Sequence, residues 1–153
     1  MIEVQSPNEV YSLENRYNVR MFLAGGITDC PDWQSEVINN LKGLNVTIYN
    51  PRRKDFVMSP ETEEEQITWE FEKLRDAQLL CFWFSGPTLN PITLYELGMW
   101  GNSRKIPLII GIDPEYKRKN DVIIQSKLAG YRGTFSDNIQ DFSDQIKGIL
   151  SHG

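Results

Sequence analysis

The sequence has 153 residues, the length of one ordinary domain, which argues against a pair of domains joined by a linker. Because 40% of the residues are hydrophobic and 24% are charged, the composition is that of a globular protein and excludes intrinsic disorder. The 16 Lys and Arg against 21 Asp and Glu give a formal net charge of -5, which repels a phosphate backbone, so we expect small-molecule ligands and no nucleic-acid partner.

Predicted strands are the first regular feature along the chain. Four apolar runs, each ending in a loop that contains Gly, Pro, Asn or Asp, have the length and composition of strands. The third and fourth are almost entirely apolar, as expected of strands that are buried on both faces of a parallel sheet. The runs cover residues 19–24, 46–49, 79–84 and 106–112, with a weaker fifth candidate at 131–135.

Predicted helices fill the segments between these strands. A Ser-Pro step at 59–60 and an Asn-Pro step at 90–91 each combine a capping residue with a proline that starts a helix. In the first of these helices, Ile67, Phe71 and Leu74 have the spacing of a buried stripe. The predicted helices cover 32–41, a segment starting at 60, 91–102 and 137–150, whereas 116–122 is predicted to be a basic loop.

The alternation of strands and helices predicts an α/β fold with a parallel sheet. We expect a single domain over residues 19–150, preceded by an N-terminal extension over residues 1–18 that forms either an extra edge strand or an interface. In such sheets, ligands bind beyond the carboxyl ends of the strands. The loops that begin at Gly25, Asn50, Ser85 and Asp113 are therefore predicted to surround one crevice.

Several kinds of site are excluded by the residues that the chain lacks. Cys30 and Cys81 have no CxxC spacing, which argues against a disulfide framework or a zinc cluster and fits a reducing cytoplasm. His152 is the only histidine and lies next to the C-terminal residue, so His-dependent triads and HExxH zinc sites are excluded. We expect no metal or redox cofactor. The polar N-terminal stretch and the lack of a long apolar run predict a soluble cytoplasmic protein with no membrane partner.

The most informative candidate residue is Glu96, the only charge in the run 91–101. Its helical neighbours are Ile92, Thr93, Met99 and Trp100, so no cation on the same helix can neutralise it. An unpaired carboxylate among apolar groups is costly, and near a crevice it can act as a nucleophile or a base. The alternative is a solvated helix face or a salt bridge to a distant segment.

Other candidates follow the first strand. Gly25 and Gly26 would let a ligand approach the backbone closely, although glycines at a strand end are as often only a turn. Asp32 and Trp33 add a polar group and an aromatic plate at the same mouth, and Trp33 could equally belong to the core.

After the second strand, Arg52 and Arg53 place two guanidinium groups at the rim of the crevice, suited to a phosphate, a carboxylate or a base carbonyl. A surface ion pair with the glutamates of 61–65 is an equally good interpretation. Trp69 lies beside a helix face formed by Gln66, Glu70 and Lys73, for which solvation is the simple interpretation.

The end of the third strand adds an aromatic candidate. Of the three aromatic residues at 82–84, Phe84 is nearest the loop and is the better stacking partner for a planar ligand. Asp76, which precedes the strand, is most simply a helix-end residue.

Together these stretches resemble the nucleoside 2-deoxyribosyltransferase family, in particular its short bacterial and phage members. The resemblance spans about residues 19 to 125 and implies a flavodoxin-like, doubly wound, five-stranded parallel sheet with flanking helices. The matching segments, in the order of the family, are FLAGGITDCPDWQ (22–34), NPRR (50–53), QITWE (66–70), LRDA (74–77), FWF (82–84), PITLYELG (91–98) and RKNDV (118–122).

The resemblance also implies roles for individual residues. Glu96 occupies the position of the glutamate that attacks C1′ of a 2′-deoxynucleoside and holds a deoxyribosyl ester until a second base takes the sugar. Asp76 and Asn90 match positions that contact the base, but the amide of Asn90 cannot act as a general acid and would serve mainly as a helix cap. Phe22 replaces a tyrosine near the nucleophile. Asp121 stands near a family asparagine that in some members comes from a neighbouring subunit, which implies a homo-oligomer with shared sites.

Three hypotheses remain open on the sequence. The first is a deoxyribosyltransferase that exchanges purine or pyrimidine bases on 2′-deoxyribose, with nucleosides and free bases as its partners. The second is an N-glycoside hydrolase that uses the same glutamate with water as acceptor, for which Arg52 and Arg53 would suit a nucleoside 5′-monophosphate. The third is a non-catalytic nucleotide-binding module, favoured only by Phe22 and Asn90.

Overall fold

The computed structural model describes residues 1–9, 17–54, 57–101, 103 and 105–152. Within these residues the chain forms six strands and five helices. In chain order they are β1 (Ile2–Gln5), β2 (Val19–Gly25), α1 (Trp33–Asn40), β3 (Val46–Asn50), α2 (Pro60–Asp76), β4 (Leu79–Phe84), α3 (Pro91–Trp100), β5 (Leu108–Ile112), α4 (Lys119–Leu128), β6 (Phe135–Ser136) and α5 (Ile139–Ser151).

The six strands form one parallel sheet in the order β1-β3-β2-β4-β5-β6. From β2 the chain adds strands first on one side and then, after crossing to β4, on the other. Without β1 this order is the flavodoxin-like one, and its topological switch point lies between β2 and β4. The predicted α/β, flavodoxin-like, doubly wound fold is therefore confirmed, and the switch point places the ligand crevice beside Gly25 and Ser85.

The strand count differs from the predicted five because β1 joins the edge of the sheet. Its register runs from Ile2 opposite Thr47 to Gln5 opposite Asn50. The four residues are too few and too polar for a clear strand pattern, so only pairing with β3 identifies them. Of the two alternatives for the N-terminal extension, its first residues thus form an edge strand, whereas residues 10–16 lie outside the described part of the chain.

Two apolar layers cover the faces of the sheet. On one face, α2, α3 and α4 pack on a core that contains Phe22, Trp69 and Phe84. On the other, α1 and α5 pack on a core that contains Trp33 and Phe142. All six residues of β4 are buried, as the uninterrupted apolar run predicts for a central strand.

Three local predictions differ from the structure. The supposed basic loop after β5 continues into α4. The weak strand predicted at 131–135 is reduced to β6. The hydroxyl of Tyr131 accepts a hydrogen bond from the Ile110 N–H and donates one to Thr134 O, so a side chain makes bonds that the backbone would make in a longer strand. The predicted buried stripe of α2 is wrong at Ile67 and Phe71, which are exposed.

No helix in the described residues is both long and apolar enough to cross a bilayer.

Candidate active site

The loops after β2 and β4 meet at the switch point of the sheet, where Gly26 packs against Asn90. Asn90 is buried and adopts a left-handed conformation with φ 48°. A Cβ on Gly26 would collide with the Asn90 amide oxygen and lie 2.5 Å from Cys30 Sγ. Gly26 is therefore required for close packing of the two loops.

We expect Gly26→Ala to destabilise the fold by about 2 kcal/mol, because the added methyl overpacks the junction that holds the start of α3. Gly148→Ala is the matched control. A Cβ at Gly148, inside α5, meets nothing within 4 Å, so this change should stabilise the fold by about 0.5–1 kcal/mol. Urea unfolding of both variants measures the difference, and equal stabilities would contradict the packing argument.

The Asn90 side chain binds the loop rather than the helix end. Its Nδ2 donates to Ser85 O at 3.0 Å and to Thr88 O at 3.2 Å, while its Oδ1 accepts from the Thr88 hydroxyl at 3.0 Å. Asn90 stands at the N-cap position of α3, but its side chain makes no capping hydrogen bond. The helix-cap role expected of Asn90 is therefore wrong, because its left-handed backbone turns the side-chain amide back towards the loop.

Glu96 lies in the middle of α3 and is partly buried. Burial, with a smaller contribution from the negative charge of Glu70, raises the pKa of Glu96 to about 8. In the described part of the chain no hydrogen bond or cation stabilises its charged form. Among the described residues Glu96 is therefore a carboxyl group without a salt bridge or hydrogen-bond partner, and its raised pKa favours the protonated form near neutral pH.

For Glu70, the simple interpretation of the sequence is a solvated helix face. It lies on α2, which is joined to α3 by the edge-to-face contact of Phe71 with Trp100, ring centroids 5.2 Å apart. Burial raises the pKa of Glu70, and a smaller opposite effect comes from Gln66, whose Nε2 donates to Glu70 Oε1 at 2.9 Å. Two carboxyl groups with raised pKa values are thus close enough to interact electrostatically, so that ionisation of Glu70 disfavours ionisation of Glu96.

The sequence contains only a weak signal for Glu70. It shares the QITWE segment with Gln66 four residues earlier, one helical turn away. Because the stripe of α2 was placed on Ile67 and Phe71, the face that carries Gln66 and Glu70 was predicted to point to solvent. The helix is instead oriented by Trp69 and Leu74, its buried residues, which carries Glu70 inwards.

The predicted aromatic site residues on this face belong to the core. Phe22 and Trp69 are buried, with ring centroids 6.3 Å apart, and Trp69 Nε1 donates to Asn8 O at 2.9 Å. Phe84 is fully buried and packs on Tyr116 at 5.2 Å. In this structure none of the three presents a free ring face on which a planar ligand could stack.

On the opposite face of the sheet, Trp33 is also a core residue. Its ring packs so closely on Gly25 that a Cβ there would collide with it, and its Nε1 donates to Gly26 O at 3.0 Å. Asp32 caps α1 by accepting hydrogen bonds from the backbone N–H and the hydroxyl of Ser35. The glycine pair thus serves the packing of α1 as well as the crevice.

Arg52 holds the loop between β2 and α1. Its guanidinium donates to Ile27 O, Cys30 O and Pro31 O at 2.9–3.3 Å and to Gln34 Oε1 at 2.9 Å. These bonds use most of the N–H donors of Arg52. In this structure the side chain therefore holds the loop and is not positioned for direct contact with a substrate.

Arg53 forms a salt bridge with Glu65 at 2.7 Å, which is the ion pair that the sequence left open as its alternative role.

Two acidic candidates lie away from Glu96. Asp76, at the last residue of α2, binds Arg20 at 2.9 Å and accepts from the Tyr49 hydroxyl at 2.5 Å. Because it lies six residues beyond Glu70 on the helix, it is about 9 Å further along the axis, towards the amino ends of the strands. Asp121, on α4, pairs with Arg118 at 2.9 Å.

Two surface depressions lie elsewhere. One, of about 450 Å³, lies between the N-terminal residues and α2 and is lined by five glutamates. The other, of about 540 Å³, lies beside β6 and the start of α5. Neither contains Glu96. Among the described residues, no group of three or more His, Cys, Asp or Glu side chains could hold a metal ion.

Comparison with known proteins agrees with this architecture. A search of curated proteins gives no significant match. A family model described as nucleoside 2-deoxyribosyltransferase like matches residues 18–116, nearly two thirds of the chain, from the start of β2 through β5. This segment contains the switch point, Glu70 and Glu96. The chain therefore belongs to the nucleoside 2-deoxyribosyltransferase-like family.

Proposed function

We propose that the protein is an N-deoxyribosyltransferase that exchanges the base of 2′-deoxynucleosides through an ester of deoxyribose with Glu96. The observation that carries this proposal is the pair of partly buried carboxyl groups, Glu96 and Glu70, near the switch point of the sheet. One group that can be ionised beside one that can be protonated is what cleavage of a glycosidic bond needs.

In the reactive form of the pair the single proton lies on Glu70 and Glu96 is ionised, so that in the first step a carboxylate oxygen of Glu96 attacks C1′. The bond from C1′ to the base nitrogen breaks, and its electron pair leaves with the base, which takes the shared proton from Glu70. In the second step, a nitrogen of the incoming base attacks C1′, its proton passes to Glu70, and the Glu96 carboxylate is released. The pair thus ends each cycle with the single proton with which it began.

Hydrolysis is the alternative outcome of the same first step, since water can replace the second base. The bonds of Arg52 and Arg53 to the protein leave the 5′-phosphate hypothesis with less support than it has on the sequence alone. A non-catalytic binding module does not account for two carboxyl groups held together at a cost in stability.

Chromatography of 2′-deoxynucleosides and their 5′-monophosphates, incubated with and without a second free base, tests the proposal. We expect a new nucleoside only when the acceptor base is present. Free base released without an acceptor would favour the hydrolase, and no turnover of any substrate in the panel would contradict both enzymatic proposals.

We further propose that the protein is a homo-oligomer and that a second copy of the chain covers α2 and α3. Large apolar side chains on these helices are exposed beside the carboxyl pair: Ile67 by 59%, Phe71 by 46%, Ile92 by 62% and Tyr95 by 66%. Such a cluster is unusual on the surface of a monomer. A covering subunit would also supply the enclosure that a nucleoside site normally has.

Tyr95→Asp is expected to dissociate this oligomer and to lower kcat/KM at least tenfold, because a charge is costly in an apolar interface. Leu128→Asp is the matched control, since Leu128 is 82% exposed on α4. Light scattering coupled to size-exclusion chromatography gives the mass of each variant. A wild-type protein that is monomeric at assay concentration would contradict the proposal.

A further inference from the structure

The N-terminal residues 1–9 lie outside the segment that the family model matches, yet they contact the helix that carries Glu70. After β1 the chain crosses to α2, where Asn8 O accepts from Trp69 Nε1 at 2.9 Å. Glu9 forms a salt bridge with Lys73. The segment is thus held on α2 at points on either side of Glu70 along the sequence.

Ser6 makes the innermost of these contacts. It is 3% exposed, and its backbone N–H donates to Asn50 O at 2.9 Å. Its hydroxyl donates to Gln66 Oε1 at 2.6 Å. This hydroxyl holds the oxygen end of the Gln66 amide, while Pro51 O, which can only accept, determines which way the amide faces.

The other end of the Gln66 amide points at the catalytic pair. Its Nε2 donates to Pro51 O and to Glu70 Oε1, both at 2.9 Å. Rotating the amide by half a turn would place its oxygen against two acceptors, Pro51 O and Glu70 Oε1, and lose both of those bonds. The donor is therefore fixed towards Glu70 by the contact with Ser6 on one side and with Pro51 on the other.

We propose that Ser6 and Gln66 are positioning residues of the active site, which hold the Glu70 carboxyl beside Glu96. This inference rests on the proposed function of the two carboxyl groups. The inference makes the N-terminal segment part of the site, although the match to the family model begins only at residue 18.

The charges around Glu70 in the described residues are few. Glu96 faces it from α3, and Lys73 is one helical turn away on α2, where Glu9 of the N-terminal segment binds its ammonium group. The Gln66 amide is thus the group that donates directly to Glu70. Loss of this donor disfavours every state in which Glu70 is ionised, so the apparent pKa values of the pair should rise.

The test compares Gln66→Ala, Ser6→Ala and Glu9→Gln with the wild type by carboxyl carbon-13 NMR titration, which needs no substrate. Glu70→Gln and Glu96→Gln assign the two signals. We expect the titration of the pair to move to higher pH by about one unit in Gln66→Ala and about half a unit in Ser6→Ala. Glu9→Gln is the matched control, because it loosens the segment from α2 without touching the Ser6–Gln66 bond, and it should titrate as the wild type.

The pH profile of kcat/KM should move in the same direction in the two positioning variants. The inference is overturned if Ser6→Ala titrates as the wild type, or if Glu9→Gln shifts the pair as much as Ser6→Ala does. Loss of turnover in Glu96→Gln with an unshifted Ser6→Ala titration would reject this inference alone. Shifted titrations with an active Glu96→Gln would instead reject the proposed function and leave the positioning contact standing.

Discussion

Glu96→Gln is expected to lower kcat/KM for base exchange by on the order of 10⁴-fold or more, because the amide cannot form the ester with C1′. Denaturing mass spectrometry after a rapid acid quench should find the wild type heavier by one deoxyribosyl group and the variant unmodified. A variant that still turns over, or a wild type that never carries the sugar while exchanging bases, would contradict a covalent role for Glu96.

The same substitution should make the protein more stable at neutral and alkaline pH. The folded state holds the pKa of Glu96 at about 8, above the ordinary value of 4.5. Below about pH 4.5 both states are protonated, and the variant gains nothing. Between 4.5 and 8 the unfolded carboxyl ionises while the folded one keeps its proton, so the wild type loses stability as the pH rises. Near pH 8 the gain in the variant is on the order of 4 kcal/mol.

Urea unfolding from pH 4 to pH 9 measures this gain, with Glu36→Gln as a control at an exposed glutamate of α1. A stability difference between Glu96→Gln and the wild type that stays constant with pH would show that Glu96 titrates normally. The stability data also separate loss of chemistry from loss of fold, because an inactive variant that is more stable than the wild type is folded.

Glu70→Gln is expected to lower kcat/KM by about 10²- to 10⁴-fold for ordinary deoxynucleosides, since the departing base then has no proton donor. A purine deoxynucleoside methylated at N7 carries a positive charge on the base before it leaves. For this substrate we expect a loss of less than about tenfold, because protonation is no longer needed.

The pH dependence of kcat/KM for the N7-methylated substrate gives a second measurement. Without the negative charge of Glu70, the pKa of Glu96 falls, so the acidic limb of its rate profile should move to lower pH. Glu72→Gln is the control on an exposed position of the same helix. Equal losses for both substrates would assign Glu70 to substrate binding and not to proton transfer.

Much of the fold is predictable because it depends on local signals. The uninterrupted apolar run of β4 and the Ser-Pro step that starts α2 determine a buried strand and a helix start without reference to distant residues, and both are observed. The helix stripe at Ile67 and Phe71 was wrong because spacing alone does not say which of two apolar faces meets the sheet. Trp69 and Leu74 decide this through contacts made only in the folded chain.

The candidate site likewise has one part that can be predicted from local sequence and another that depends on distant residues. Glu96 is recognisable as a lone charge in an apolar helix, because its helical neighbours can be read from the chain. Its partner Glu70 lies 26 positions earlier on another helix, and Gln66, which donates to it, is itself bound by Ser6 from the edge strand. Arg52 could not be assigned from the sequence either, because no sequence pattern predicts that its guanidinium is bound to backbone carbonyl groups.

The sequence by itself determined the class of fold and singled out Glu96, the residue proposed as nucleophile, since periodicity, loop chemistry and the placement of a single charge are local properties. Only the tertiary structure decided which carboxyl faces Glu96, which aromatic rings are buried and which arginines belong to the scaffold. The physical reason is that burial and proximity raise the pKa values of this pair, and both depend on how α2, α3 and the N-terminal segment pack on the sheet.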